Sequence, residues 1–88
     1  MMFLIDATWK LDNTTKVLET AADIFSKPVE GIDIKSSFMV MGQNRAAFIV
    51  DAEGIEAITD MHWPFLDHVK CKWYPILPLE DAFKKIKG

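Results

Sequence analysis

Met2-Phe3-Leu4-Ile5-Asp6-Ala7-Thr8-Trp9 is the stretch whose reading decides the fold. Its side chains fall into two alternating sets, Phe3, Ile5, Ala7 and Trp9 against Met2, Leu4, Asp6 and Thr8, and this alternation is the period of an extended strand. Neither set is wholly polar. A strand with one face on helices and the other in water has one clean polar face, so the second face of this one needs a cover of its own. Two helix-like stretches interrupt the remaining strands in the order β-α-β-β-α-β. Two helices cover one face of a sheet, and the simplest cover for the other is a second copy of the chain, giving a homodimer with sheet against sheet.

Beyond the first strand, Leu11-Asp12-Asn13-Thr14 offers short oxygen-bearing side chains for a helix start. Val17, Leu18, Ala21, Ile24 and Phe25 follow at helical spacing, and Pro28 biases Lys27 out of helical geometry and ends the helix. Gly31 leads into a second strand, with Ile32, Ile34, Phe38 and Val40 expected on one face and Asp33, Lys35, Ser37, Met39 and Met41 on the other. Gly42-Gln43-Asn44 is a turn sequence, predicting a hairpin into a third strand from Ala46 to Asp51. Ala52 to Met61 reads as the second helix, with Ile55 and Ile58 inward beside Met61 or His62, and Glu53, Glu56 and Asp60 outward. After Trp63, Pro64 can open a short helical turn. Val69 to Ile76 is the last strand, with Val69, Cys71 and Trp73 on one face and Lys70, Lys72, Tyr74 and Ile76 on the other; Pro75 has no amide to donate and points to a sheet edge or a bulge. From Leu79 to Lys87, a stripe of Leu79, Phe83 and Ile86 beside Lys84, Lys85 and Lys87 predicts a short amphipathic helix.

With 88 residues the chain is expected to form one domain over residues 1–88, burying roughly 60–65% of its unfolded surface. Half of it is apolar, enough for a core, which argues against disorder. Ten basic residues against thirteen acidic ones give a net charge of −3. Basic residues cluster only near the end, so no nucleic-acid footprint is present and nucleic acid is not an expected partner. The lone cysteine, Cys71, has no second thiol for a disulfide or a CxxC site. A reducing, cytoplasmic setting fits. The apolar start is interrupted by Asp6 and Lys10 and reads as a strand, not a signal peptide. No apolar run approaches the ~20 residues that span a bilayer, so no membrane association is expected.

Four segments carry a family likeness: the opening strand from Met1 to Trp9, the approach Pro28-Val29-Glu30-Gly31, the hairpin strand Ala47-Phe48-Ile49-Val50-Asp51-Ala52-Glu53, and the end Trp73-Tyr74-Pro75-Ile76-Leu77. In them the chain resembles the dimeric α/β-barrel superfamily, in which ferredoxin-like protomers pair their sheets, and within it a family of small stand-alone proteins of unknown function. The resemblance covers nearly the whole chain. It implies an α+β, ferredoxin-like β-α-β-β-α-β fold with an antiparallel sheet, a dimeric α/β barrel, and a short C-terminal helix. The superfamily includes cofactor-independent monooxygenases, haem-degrading enzymes, dehalogenase-like proteins, isomerases and ligand-sensing domains, so fold alone selects no function. Other ferredoxin-like proteins fit poorly, for the chain lacks the glycine-aromatic strand motif of RNA-recognition domains, the paired cysteines of heavy-metal domains, and the arginine that an acylphosphatase site wants after the first strand.

Asp6 and His62 are the candidate catalytic residues. Histidine titrates near neutrality and suits a general base, although His62, at a helix end, can equally bond free carbonyls there. Asp6 lies mid-strand, where an ionised group is costly unless paired; a polar cluster with Thr8 and Tyr74 and a bond across a dimer interface are the alternatives. His68, beside Asp67, reads as part of a solvated turn. Trp9, Phe38, Met39, Trp63, Trp73 and Tyr74 are the candidate ligand-binding residues, able to wall a flat apolar molecule or to serve simply as core and interface. Arg45 could grip an anion with its two-pronged head or stand solvated in the hairpin, and Cys71 reads as an inert core thiol. Two histidines without a third ligand argue against a metal site, and no cofactor is expected. The leading expectation is a cytoplasmic homodimer holding a small apolar or aromatic ligand between sheet and helices. A cofactor-independent monooxygenase or isomerase, and an assembly module without a ligand, are the alternatives.

Overall fold

The computed structural model describes residues 1–87. Strand β1, Met2–Trp9, buries Phe3, Ile5 and Ala7 while their neighbours stay partly covered, as the two alternating sets require. A 3-10 turn, Leu11–Asn13, leads into helix α1, Thr14–Ile24, and then come β2, Ile32–Met39, and β3, Arg45–Ala52. Helix α2, Ile55–His62, a 3-10 turn at Trp63–Phe65, strand β4, Val69–Pro75, and helix α3, Leu79–Lys87, complete the order. The chain is therefore α+β. Its four strands form one antiparallel sheet in the order β2-β3-β1-β4, an arrangement compatible with the ferredoxin-like fold. Pro75 ends β4, an edge strand, where its missing amide leaves no central ladder broken.

Helices α1 and α2 cover one face of the sheet. Phe3, Ile5, Val50 and Ala52 of the strands meet Ile58 and Met61 of α2, and a second cluster joins Ala7 and Val69 to Val17 of α1 and to Phe65. Phe25, just past α1, packs against both clusters, with its ring centroid 5.8 Å from Phe48 and 6.5 Å from Phe65. Each large apolar side chain so buried contributes on the order of 1.5–3 kcal/mol.

Two turns show why their glycines are there. Gly31 has φ +75°, and a Cβ on it would come within 3.0 Å of the Ala57 Cβ, so only glycine lets the start of β2 pass so close to α2. Gly42 in the hairpin also has φ +75°, and the Val40 amide donates to the Arg45 carbonyl across the turn at 2.9 Å. The Asn44 carbonyl accepts from the Trp9 amide at 3.1 Å, tying the hairpin to the end of β1.

The expected faces of β2 need correction. Ile34 lies opposite Val50 but Ser36 lies opposite Ile49, so Lys35 is an extra residue in the ladder, a β-bulge. Alternation inverts across it. Ile32 and Ile34 face the helices before the bulge, Ser37 and Met39 do so after it, and Phe38, opposite Ala47, shares the far face with Asp6. Ile55 is corrected too: it is 60% exposed, because α2 starts there, after the Gly54 cap, and its first turn borders a groove instead of the core. The C-terminal helix forms as expected, yet buries none of its residues. The molecule measures 49 × 29 × 19 Å with a radius of gyration of 14.4 Å, against about 12 Å for a rounded domain of this length, in keeping with an arm that stands off the body. Among the described residues no helix is long and apolar enough to cross a membrane.

Candidate functional site

A cavity of about 260 Å³ lies between the helix-covered face of the sheet and helices α1 and α2. The strands supply Ile5, Ala7, Trp9, Phe48, Cys71 and Trp73, and the helical side supplies Val17, Leu18, Ala21, Phe25, Met61 and Phe65. Alternation in β1 and β4 sends these strand residues to the covered face, and helical spacing sets Val17, Leu18 and Ala21 above them. Ser37, His62 and Cys71 bring the polar side chains to this otherwise apolar wall, with the indoles of Trp9 and Trp73.

Several of these groups are held in place. Trp9 Nε1 donates to Thr14 Oγ1 at 3.0 Å, fixing the indole between the end of β1 and the start of α1. His62 Nε2 lies 2.9 Å from the Val69 carbonyl oxygen. A carbonyl only accepts, so Nε2 carries the proton and the neutral ring keeps Nδ1 as an acceptor. The His62 ring stands edge-on to Trp73, 6.3 Å between centroids at 85°. Trp73 Nε1 is buried without a partner among the described residues, at a cost of about 1–3 kcal/mol for an indole N–H left unpaired. Burial, and secondarily the negative charge of Asp6, push the Cys71 thiol up to about 11. It stays protonated at neutral pH and is no thiolate nucleophile.

The structure gathers Trp9, Met39, Trp73 and His62 around this cavity, while Phe38 touches only its border on β2, its strand position being on the far face. Trp63 is 66% exposed and outside the lining, and Tyr74, opposite Leu4, stands on the helix-free face. Asp6 is on that face as well, so the sheet separates it from His62. Its partner is Arg45, whose Nε reaches Oδ1 at 2.7 Å and whose Nη2 reaches Oδ2 at 2.6 Å. These hydrogen bonds hold the Asp6 carboxyl below its usual range against the opposing effect of burial, and the charges of Arg45 and Lys72 add to them. A carboxylate held this way is a poor proton acceptor at neutral pH. β1 and β4 are neighbours, but Asp6 pairs with Lys72 and not with Tyr74, so the cluster of Asp6, Thr8 and Tyr74 does not form as expected. Phe65, read from the sequence as one of the aromatics able to wall a ligand, does line the cavity, whereas sequence reasoning did not place Phe25 and Met61 at a site. Their only signal was helical spacing, which marks core and cavity wall alike. No three His, Cys, Asp or Glu side chains converge among the described residues.

Residues 1–88, the entire chain, match the family described as Domain of unknown function (DUF3303). The chain belongs to the DUF3303 family. No curated protein matches it. A family of unknown function is what the resemblance in the sequence implies, and the DUF3303 match bears that much out. The family description assigns no reaction, so the chemistry open to this DUF3303 chain has to be read from the cavity wall itself.

Proposed function

We propose that this chain is a ferredoxin-like homodimer that takes a small apolar or aromatic molecule into the cavity between its sheet and helices. The observation that carries the reading is the cavity: about 260 Å³, walled by aromatic and aliphatic side chains, with only a few polar groups at its edges. A dry apolar cavity of about 150 Å³ suffices for benzene, so a one- or two-ring molecule fits this volume. Ser37 and Nδ1 of His62 are placed to hydrogen-bond such a ligand's polar edge.

The dimer rests on the opposite face. Leu4, Phe38, Ala47, Ile49 and Tyr74 lie across the four strands with no helix above them. Four strands at about 4.8 Å spacing and about 26 Å long present roughly 500 Å². Two copies face to face then bury on the order of 1,000 Å², the lower limit for a stable interface. In that arrangement the Asp6–Arg45 pair is an internally satisfied polar contact inside the interface. A reducing, cytoplasmic setting suits the unpaired Cys71.

A second reading, a cofactor-independent oxygenase or isomerase, is favoured by one observation: His62 borders the cavity with Nδ1 unprotonated in the neutral ring, as a general base requires. Asp6, across the sheet, takes no part in it.

Thermal denaturation with indole or 1-naphthol tests the ligand reading. A molecule bound only by the folded state raises Tm with its concentration. Ala21→Phe, which fills the cavity, abolishes that rise if the site is the one described. A native protein whose Tm does not move, or a rise that Ala21→Phe leaves intact, contradicts it.

A further inference from the structure

Helix α3 has an apolar stripe left largely open to solvent. Leu79, Phe83 and Ile86 are all exposed. At 3.6 residues per turn, Lys87 borders this stripe with Glu80 beside it, and Lys85 lies about 130° round from the stripe's centre on the other side. Elsewhere on the molecule a groove of about 600 Å³ has the matching character. Ile24, Val29, Ile55 and Pro64 give it an apolar floor, while Glu30, Glu53, Glu56 and Asp60 bring acidic groups to it, and no lysine or arginine lines it among the described residues. Ile55, an exposed isoleucine in the first turn of α2, lies in this groove.

Within one chain the two surfaces do not meet. The arm leaves from β4, the edge strand farthest from β2, whereas Glu30 and Gly31 at the start of β2 form part of the groove. None of the α3 residues lines it.

We propose that α3 of one copy docks in the acidic groove of a second copy, stripe to floor and lysines to carboxylates, and that the exchange is reciprocal. A two-fold pair satisfies both arms and both grooves at once and closes the assembly. Opposite charges along the groove set the arm's orientation and make its docking salt-sensitive. This interaction is independent of whether the cavity holds a ligand.

The test couples carboxylates to amines in the native protein with a zero-length carbodiimide. Chains labelled with ¹⁵N are first co-refolded with unlabelled ones from urea. Linked peptides joining Lys85 or Lys87 to Glu53, Glu56 or Asp60 are expected, with mixed isotopic composition, and they diminish when salt is raised. Lys85→Glu with Lys87→Glu lowers association, and Glu56→Lys with Asp60→Lys in the other chain restores it. Such linked peptides found only within one isotope, meaning docking within a chain, or not found at all, overturn the proposal, as does reversal of the charges without effect or without rescue. All the substituted side chains are outside the buried core, so folding, followed by circular dichroism, is unaffected.

Discussion

Asp6 illustrates how far a residue's identity leads without its neighbours. A carboxylate mid-strand announces a partner, but which partner depends on strand order, and only the pairing of β1 with β3 sets Arg45 diagonally across from it. Because the folded carboxyl titrates below its usual value, its stabilising contribution is present above the ordinary aspartate pKa and is lost as pH falls through the lowered one. Asp6→Asn should therefore lower Tm by a few degrees at pH 7 and converge with the native protein near pH 2; parallel Tm curves at both pH values contradict this. Cys71 makes a complementary prediction. With its thiol pushed up to about 11, alkylation by iodoacetamide is slow at pH 8 and accelerates above pH 10, and 1-naphthol in the cavity slows it further. Fast labelling at pH 8, or no protection, speaks against the buried placement.

At the scale of elements, periodicity was the readable signal and irregularity the unreadable one. The two faces of β1, the hairpin, the 3-10 turn after α2 and the amphipathic α3 all follow from spacing and turn residues. The bulge at Lys35 does not, since Lys35-Ser36-Ser37 carries no glycine or proline to mark it, and Phe38 and Met39 therefore exchange their expected faces. Deleting Lys35 should regularise β2 with Met39 still inward and leave Tm within a few degrees; a large fall in Tm would contradict the bulge. Helix α2 supplies a paired test of burial. Ile58 is 0% exposed and Ile55 60%. Ile58→Ala should cost about 2–5 kcal/mol in urea denaturation, a large part of the about 5–15 kcal/mol that stabilises a small domain, and Ile55→Ala should barely shift the midpoint. Equal effects from the two would refute the assigned helix face.

For the whole molecule, the sheet order sets apart two faces that the strand alternation of the sequence only suggests. One face of the sheet, with α1 and α2, borders the cavity, and the other carries Leu4, Phe38, Ile49 and Tyr74, the face we propose for a second copy. Ile49→Lys should weaken a dimer by about 30-fold or more, the scale of a central interface residue, with analytical ultracentrifugation as the readout; a native monomer at micromolar concentration refutes the dimer itself. The cavity is the central claim, and the three tryptophans report on it separately, because Trp9 and Trp73 line it while Trp63 is exposed outside it. Following the three indole N–H resonances by ¹H–¹⁵N correlation during titration with 1-naphthol is the most direct measurement. Saturable shifts of Trp9 and Trp73 with Trp63 unmoved are predicted; three stationary resonances, or movement of Trp63 alone, would contradict the account.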